Sequence, residues 1–164
     1  MEVRLERLDP PSEHAIAAGK RIRLAIVSMT KRPVDILGWL EHHRRLGVER
    51  FYLRIEDTPE LSKTLEGYAW SSIVDRTFAT NTQRDYIKQT ARQNAHVAES
   101  IPKAESARIT HILHIDDDEL LYCAGGMDAL KAELASHSDP HTCDFHLANL
   151  EALATSPSEP AHAI

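Results

Sequence analysis

Four consecutive acids, Asp116, Asp117, Asp118 and Glu119, end the short apolar run Thr110–Ile115. Carboxylates crowded at the tip of a buried strand repel one another, and burial pushes the pKa of some of them up. A divalent cation relieves that repulsion, and carboxylate oxygens are ligands that Mg²⁺ and Mn²⁺ prefer. The pattern predicts a metal site at the end of a core strand, where open α/β sheets place their ligands. If the extended chain continues, Asp116 and Asp118 share one side and Asp117 points to the other. Asp118 is then the first candidate for a direct ligand and Asp116 the second, with Glu119 in support. The bland alternative is a solvated acidic loop.

Other residues could do chemistry too. His137, His141, Cys143 and His146 crowd one segment, but they lack a paired Cys-x-x-Cys or regular finger spacing. Strand alternation would also separate His146 from His141 and Cys143. His42-His43 reads as a packing feature, with one ring buried and hydrogen-bonded. Two cysteines, Cys123 and Cys143, make no disulfide scaffold and are expected as free thiols.

The elements that must position these groups alternate. Apolar runs at Arg23–Met29, Arg50–Ile55, Ile73–Phe78 and Thr110–Ile115 read as strands. Between them lie helical stretches. The first follows Pro33, expected in its first turn, carries Ile36, Leu37, Leu40 and His43 on one face, and stops at Gly47. The second opens at Asp57-Thr58-Pro59-Glu60, with Asp57 or Thr58 as cap, and runs to about Ala69. The third is polar, spans Asn81 to about Ile101, and is expected to end at Pro102. After the acids come a short strand at Leu120–Tyr122, a turn at Gly125-Gly126, a helix at Met127–Ala135 and a final strand candidate at His141–Leu147. Strands alternating with helices predict an α/β fold with a mostly parallel sheet flanked by helices. All strand ends then share one rim, bringing Ser28, Asp57 and the acids together. The expected organisation is a lead-in at 1–20, one domain at 21–151 and a loose tail at 152–164.

Composition fits this outline. The 164 residues suffice for one domain with a core, and 42% hydrophobic and 27% charged residues are ordinary for a globular protein. No apolar run reaches the ~20 residues that cross a membrane, and the N-terminus lacks a signal-peptide pattern. The expectation is a soluble chain, cytoplasmic unless an anchor or signal lies in a missing extension. The net charge of −6 is uneven: residues 1–103 hold 17 Lys/Arg against 14 Asp/Glu, whereas residues 104–164 hold 2 against 11. That distribution lacks the clustered basic face of a nucleic-acid surface. It suits a C-terminal part holding a cation and an N-terminal part supplying positive groups to an anion.

Asp116-x-Asp118 after a core strand resembles the DxD motif of GT-A glycosyltransferases. Ile115-Asp-Asp-Asp-Glu-Leu-Leu121 is similar to the Asp-x-Asp-Glu-Phe pattern of the glycosyltransferase family 2-like and family 92 proteins, with Leu120 in place of Phe. Val27-Ser28-Met29 and the Trp39-x-x-x-His43-x-x-x-Gly47 spacing resemble that family's first strand and following helix. Asp57, Arg92-Gln-Asn94 and Phe145–Glu151 match further segments. The resemblance implies a Rossmann-like GT-A fold and transfer from a nucleotide-sugar, a UDP- or GDP-sugar, to a glycan, protein or lipid acceptor. It implies Mn²⁺ or Mg²⁺ at Asp116 and Asp118, with Asp116 reaching either the metal or the donor's ribose. Ser28 and Asp57 would contact the base and ribose, and Arg92 or Arg84 the diphosphate, since guanidinium pairs phosphate bidentately. No residue stands out as a catalytic base. Two alternatives stay open: a truncated or degenerate GT-A-like binding domain without turnover, and a haloacid-dehalogenase-type phosphatase. In the latter the Asp-x-Asp motif follows the first strand and precedes a small turn, not Glu119-Leu120.

Overall fold

The computed structural model describes residues 21–80, 86–137 and 147–148. Strands β1 (Leu24–Thr30), β2 (Arg50–Glu56), β3 (Val74–Ala79) and β4 (His111–His114) form one parallel sheet in the order β3-β2-β1-β4. Helices α1 (Ile36–Leu46), α2 (Leu61–Glu66), α3 (Tyr86–Ser106) and α4 (Gly126–Ser136) flank it. The expected α/β architecture is present and is consistent with a Rossmann-like GT-A fold.

Strand alternation divides the core into two layers. Leu24 and Ile26 of β1 and Phe51, Leu53 and Ile55 of β2 pack with Ile36, Trp39 and Leu40 of α1 and Leu61 and Leu65 of α2. Ala25, Val27 and Tyr52 point the other way and pack with Ala104 and Val97 of α3 and with Ile109. Each fully buried Leu or Ile contributes ~1.5–3 kcal/mol, so a cavity such as Leu53→Ala would cost about 2–5 kcal/mol. Helices α1 and α2 therefore cover one face and α3 the other. The chain's direction across the sheet reverses between β1 and β4, which makes the gap beyond their carboxyl ends a topological switch point.

Several boundaries differ from expectation for local reasons. Pro33 lies outside α1, because Asp35 caps the helix: its Oδ1 accepts from the Gly38 N–H at 2.9 Å. A Cβ at position 38 would stand 2.2 Å from Asp35 Oδ2, so this cap requires glycine there. Gly47, at φ 99°, ends the helix as predicted, with its N–H on Arg44 O and the Val48 N–H on His43 O, both at 3.0 Å. Neither Asp57 nor Thr58 caps α2, which is shorter than expected. The Thr58 hydroxyl instead donates to Glu56 O and accepts from the Arg32 N–H, each at 2.9 Å.

Helix α3 runs through Pro102 to Ser106 rather than ending before the proline. Proline removes one helical donor and crowds the preceding turn, but Ala104, two residues beyond it, is buried in the core and holds the helix on the sheet. Leu120–Tyr122 forms no strand. The lead-in at 1–20, Arg84, the strand candidate His141–Leu147 apart from Leu147, and the tail at 152–164 lie outside the described residues, as do Cys143 and most of the His137–His146 segment.

Candidate functional site

Two residues at the end of β1 lace the rim together. The pairing of β1 with β4 sets Val27 opposite His114. Continued three residues past the last backbone pair, that offset brings Thr30 opposite Asp117, and the Thr30 hydroxyl donates to Asp117 Oδ2 at 2.5 Å. Next to Thr30, Lys31 reaches Asp57 at the end of β2, with Nζ 2.7 Å from Oδ2. Arg32 and Asp57 both occupy the left-handed region, at φ 50° and 48°. Non-glycine residues held there cost of order 1–3 kcal/mol and concentrate at functional rims.

The four acids form a turn rather than a continued strand. The Glu119 N–H donates to Asp116 O at 3.2 Å, and Glu119 Oε2 accepts from the Asp116 N–H at 2.9 Å. The side chains separate. Asp116 faces α3, where Gln93 Nε2 donates to its Oδ1 at 2.9 Å. Asp117 faces Thr30. Asp118 is exposed and has no hydrogen-bond or ion-pair partner among the described residues. Burial, then the charges of Glu119 and Asp118, hold the Asp116 carboxyl above its ordinary range. Burial also lifts Asp117, partly offset by the Thr30 hydroxyl, with Asp118 and Asp116 raising it further.

No group of three His, Cys, Asp or Glu side chains converges tightly enough to cage a metal among the described residues. A Mg²⁺- or Mn²⁺-type ion does not require such a cage: one or two carboxylates suffice when phosphate oxygens and waters complete the shell. The donor set fits that description. Asp116 is anchored through one oxygen, Asp118 is open, and both stand in a field of like charge that a cation would relieve.

The remaining expected site residues are dispersed along the rim. Ser28 is fully buried and its hydroxyl has no partner among the described residues. Arg92 does not stand clear of the protein: its Nε donates to Glu56 Oε1 at 2.9 Å, and Arg54 Nε reaches the same oxygen at 3.0 Å. Arg92 Nη1 is buried and unpartnered among the described residues. Glu56, 1% exposed at the end of β2, escapes a sequence reading because its partners are 2 and 36 residues away. Thr30 is equally silent in sequence, and Gln93 shows only as the middle of Arg92-Gln-Asn94. Their signal lies in the sheet register and in the face of α3, which require the fold. Between β2 and β3 a cleft of about 190 Å³ is lined by Ile55, Asp57, Thr58, Pro59, Phe78, Ala79 and Thr80. A larger, open hollow on α1 includes His42 and Glu41, the latter bound to Arg44 and Arg45.

Behind the acidic turn, α1 supplies three ring contacts. Trp39 Nε1 donates to Glu119 O at 2.7 Å, His42 Nε2 meets Leu121 O at 3.0 Å, and His43 Nε2 accepts from the Leu121 N–H at 3.0 Å. The expected packing role of the histidine pair holds: His43 is fully buried.

No family model matches the chain, and no solved structure matches it with significance. A protein of Arabidopsis thaliana described as glycosyltransferase-like is 28% identical over 125 residues, covering 63% of this chain. The chain spans 28% of that relative's length. The similarity supports a glycosyltransferase-like relationship at that coarse level.

Proposed function

We propose that this chain carries the donor-binding part of a metal-dependent GT-A glycosyltransferase, taking a UDP- or GDP-sugar. The observation that carries the reading is the acidic turn at the β1/β4 switch point, with Asp116 anchored and Asp118 open. These two carboxylates would hold Mn²⁺ or Mg²⁺. When bound, the ion would neutralise charge developing on the nucleoside diphosphate leaving group. The chain's own residues contribute orientation. Gln93 fixes Asp116, Thr30 draws Asp117 aside, and Asp57 borders a cleft whose Ile55, Pro59 and Phe78 walls suit a planar base. Arg92 would face the diphosphate through its unpartnered Nη1 while Glu56 holds its Nε. Ser28 would contribute only if a bound donor draws on its buried hydroxyl. The chain spans 28% of the glycosyltransferase-like relative's length, and no acceptor-binding residue or base is assigned among the described residues.

A second reading is a GT-A-like domain that binds a donor without turnover. The commitment of Arg92 to Glu56 favours it, because it withdraws one guanidinium edge from phosphate. Thermal-shift measurement with UDP, GDP and their sugars, with and without Mn²⁺, tests both. Stabilisation by a nucleoside diphosphate that depends on Mn²⁺ supports donor binding, and sugar release or transfer then separates the first reading from the second. Release of phosphate from simple esters, with no response to nucleotides, would point instead to the phosphatase alternative.

A further inference from the structure

The acidic turn is short, exposed at its tip and loaded with like charge, and two hydrogen bonds between Asp116 and Glu119 close it from within. What lies behind it is built differently. Leu121 is buried in the larger core layer, and its peptide is gripped on both sides by neighbouring histidines of α1. His43 Nδ1 lies 2.8 Å from Trp39 O, a carbonyl that only accepts, so Nδ1 carries the proton. Its Nε2 is therefore the bare nitrogen that accepts from the Leu121 N–H. His42 presents Nε2 to Leu121 O, so it must hold its proton on that nitrogen. Adjacent histidines thus use opposite tautomers on the two polar groups of one residue. Their rings meet edge to face at 4.9 Å, and Trp39 packs against His43 at 4.6 Å with the rings tilted by 59° while its indole N–H donates to Glu119 O.

We propose that Trp39, His42 and His43 are positioning residues that hold the acidic turn closed from behind and thereby set how tightly it takes a divalent cation. The inference rests on the metal-site reading above for its second half. Ahead of the turn, Gln93 of α3 holds Asp116 through its Oδ1. Behind it, the three rings fix Glu119 and Leu121. Both ends of the turn are thereby held, and the Asp118 carboxylate stays exposed between them. Pre-organisation of this kind shows as affinity, because a ligand then meets a site already ordered.

Three variants test this without relying on one fold. Trp39→Phe keeps a ring in the core but deletes the donor to Glu119 O. His43→Phe deletes the acceptor for the Leu121 N–H, and His43→Gln restores an acceptor at that position. In the wild-type chain, nitrogen NMR should show His43 Nε2 unprotonated, and the Leu121 amide should exchange slowly with solvent. Mn²⁺ affinity, followed by the electron paramagnetic resonance of free Mn²⁺, should fall on the order of tenfold in Trp39→Phe and His43→Phe, as for other groups that orient metal ligands. It should recover in part in His43→Gln. Rapid exchange of the Leu121 amide in the wild type, or unchanged Mn²⁺ affinity in a folded Trp39→Phe, would overturn the proposal. A wild-type chain with a protected Leu121 amide and no Mn²⁺ binding would confirm the closed turn and overturn the metal reading, which keeps the two failures distinct.

Discussion

Thr30 and Asp117 meet across the seam where β1 and β4 part, with the hydroxyl donating at 2.5 Å. The contact continues the offset of the strand pairing after the backbone bonds have ended. It therefore joins the sheet to the acidic turn and keeps Asp117 off the side where Asp116 and Asp118 would hold a cation. Thr30→Val retains the β-branched shape and removes the donor. A buried carboxylate left without its partner costs about 1–3 kcal/mol. Denaturant unfolding should show that loss at pH 7 and a smaller one near pH 4, where Asp117 is more protonated. An equal loss at both values would mean that the charge on Asp117 does not matter.

Glu56 is buried between two guanidiniums, and its arrangement predicts asymmetric effects. Arg92→Met leaves the carboxylate on Arg54 alone and should destabilise by roughly 3 kcal/mol, the usual cost of breaking a buried pair from one side. Combining it with Glu56→Gln should recover much of that loss in the same unfolding measurement. An additive double variant would show that the two residues are not coupled.

Burial holds His43 down to about 4 from its ordinary 6.5. Between those values the unfolded chain binds a proton that the folded chain does not, so stability rises with pH. This contribution is complete above 6.5 and is lost as pH falls towards 4, amounting to on the order of 3 kcal/mol. His96, also lowered mainly by burial, acts in the same direction. His43→Gln should flatten the pH dependence of the unfolding free energy in that window and leave the smaller His96 part. A slope identical to that of the wild type would remove His43 from the account.

Asp116 and Asp117 have raised pKa values, so the sign reverses for them. Their contribution is present below the ordinary carboxylate pKa and is lost as pH rises through the raised one, and at neutral pH their ionised forms oppose folding. Asp116→Asn should therefore raise the metal-free Tm at pH 7, while abolishing the further rise produced by Mn²⁺. A lower metal-free Tm would show that the Gln93 contact outweighs the repulsion.

Much of this arrangement can be read before folding. Near-continuous apolar runs such as Leu24–Val27 signal strands covered on both faces, Gly47 marks a helix end, and four adjacent acids announce themselves. What stays hidden depends on contacts distant in sequence. Glu56 looks like any acid at a strand end until Arg92 arrives from 36 residues away. Pro102 reads as a terminator because the anchoring of Ala104 is tertiary. Asp57 reads as a cap, yet its left-handed backbone and its pair with Lys31 are set by how the loops after β1 and β2 meet. Strand alternation presupposes a chain that continues extended through the acids; it turns instead, and Asp117 meets Thr30 while Asp116 meets Gln93.

Donor binding is tested most directly by calorimetric titration of UDP- and GDP-sugars into the wild-type chain and Asp118→Ala, each in Mn²⁺ and in a chelator. The account predicts saturable binding by the wild type in Mn²⁺ only, and none by Asp118→Ala. Equal affinity in the two chains, or binding indifferent to the chelator, would contradict the assignment of the acidic turn as the metal and donor site.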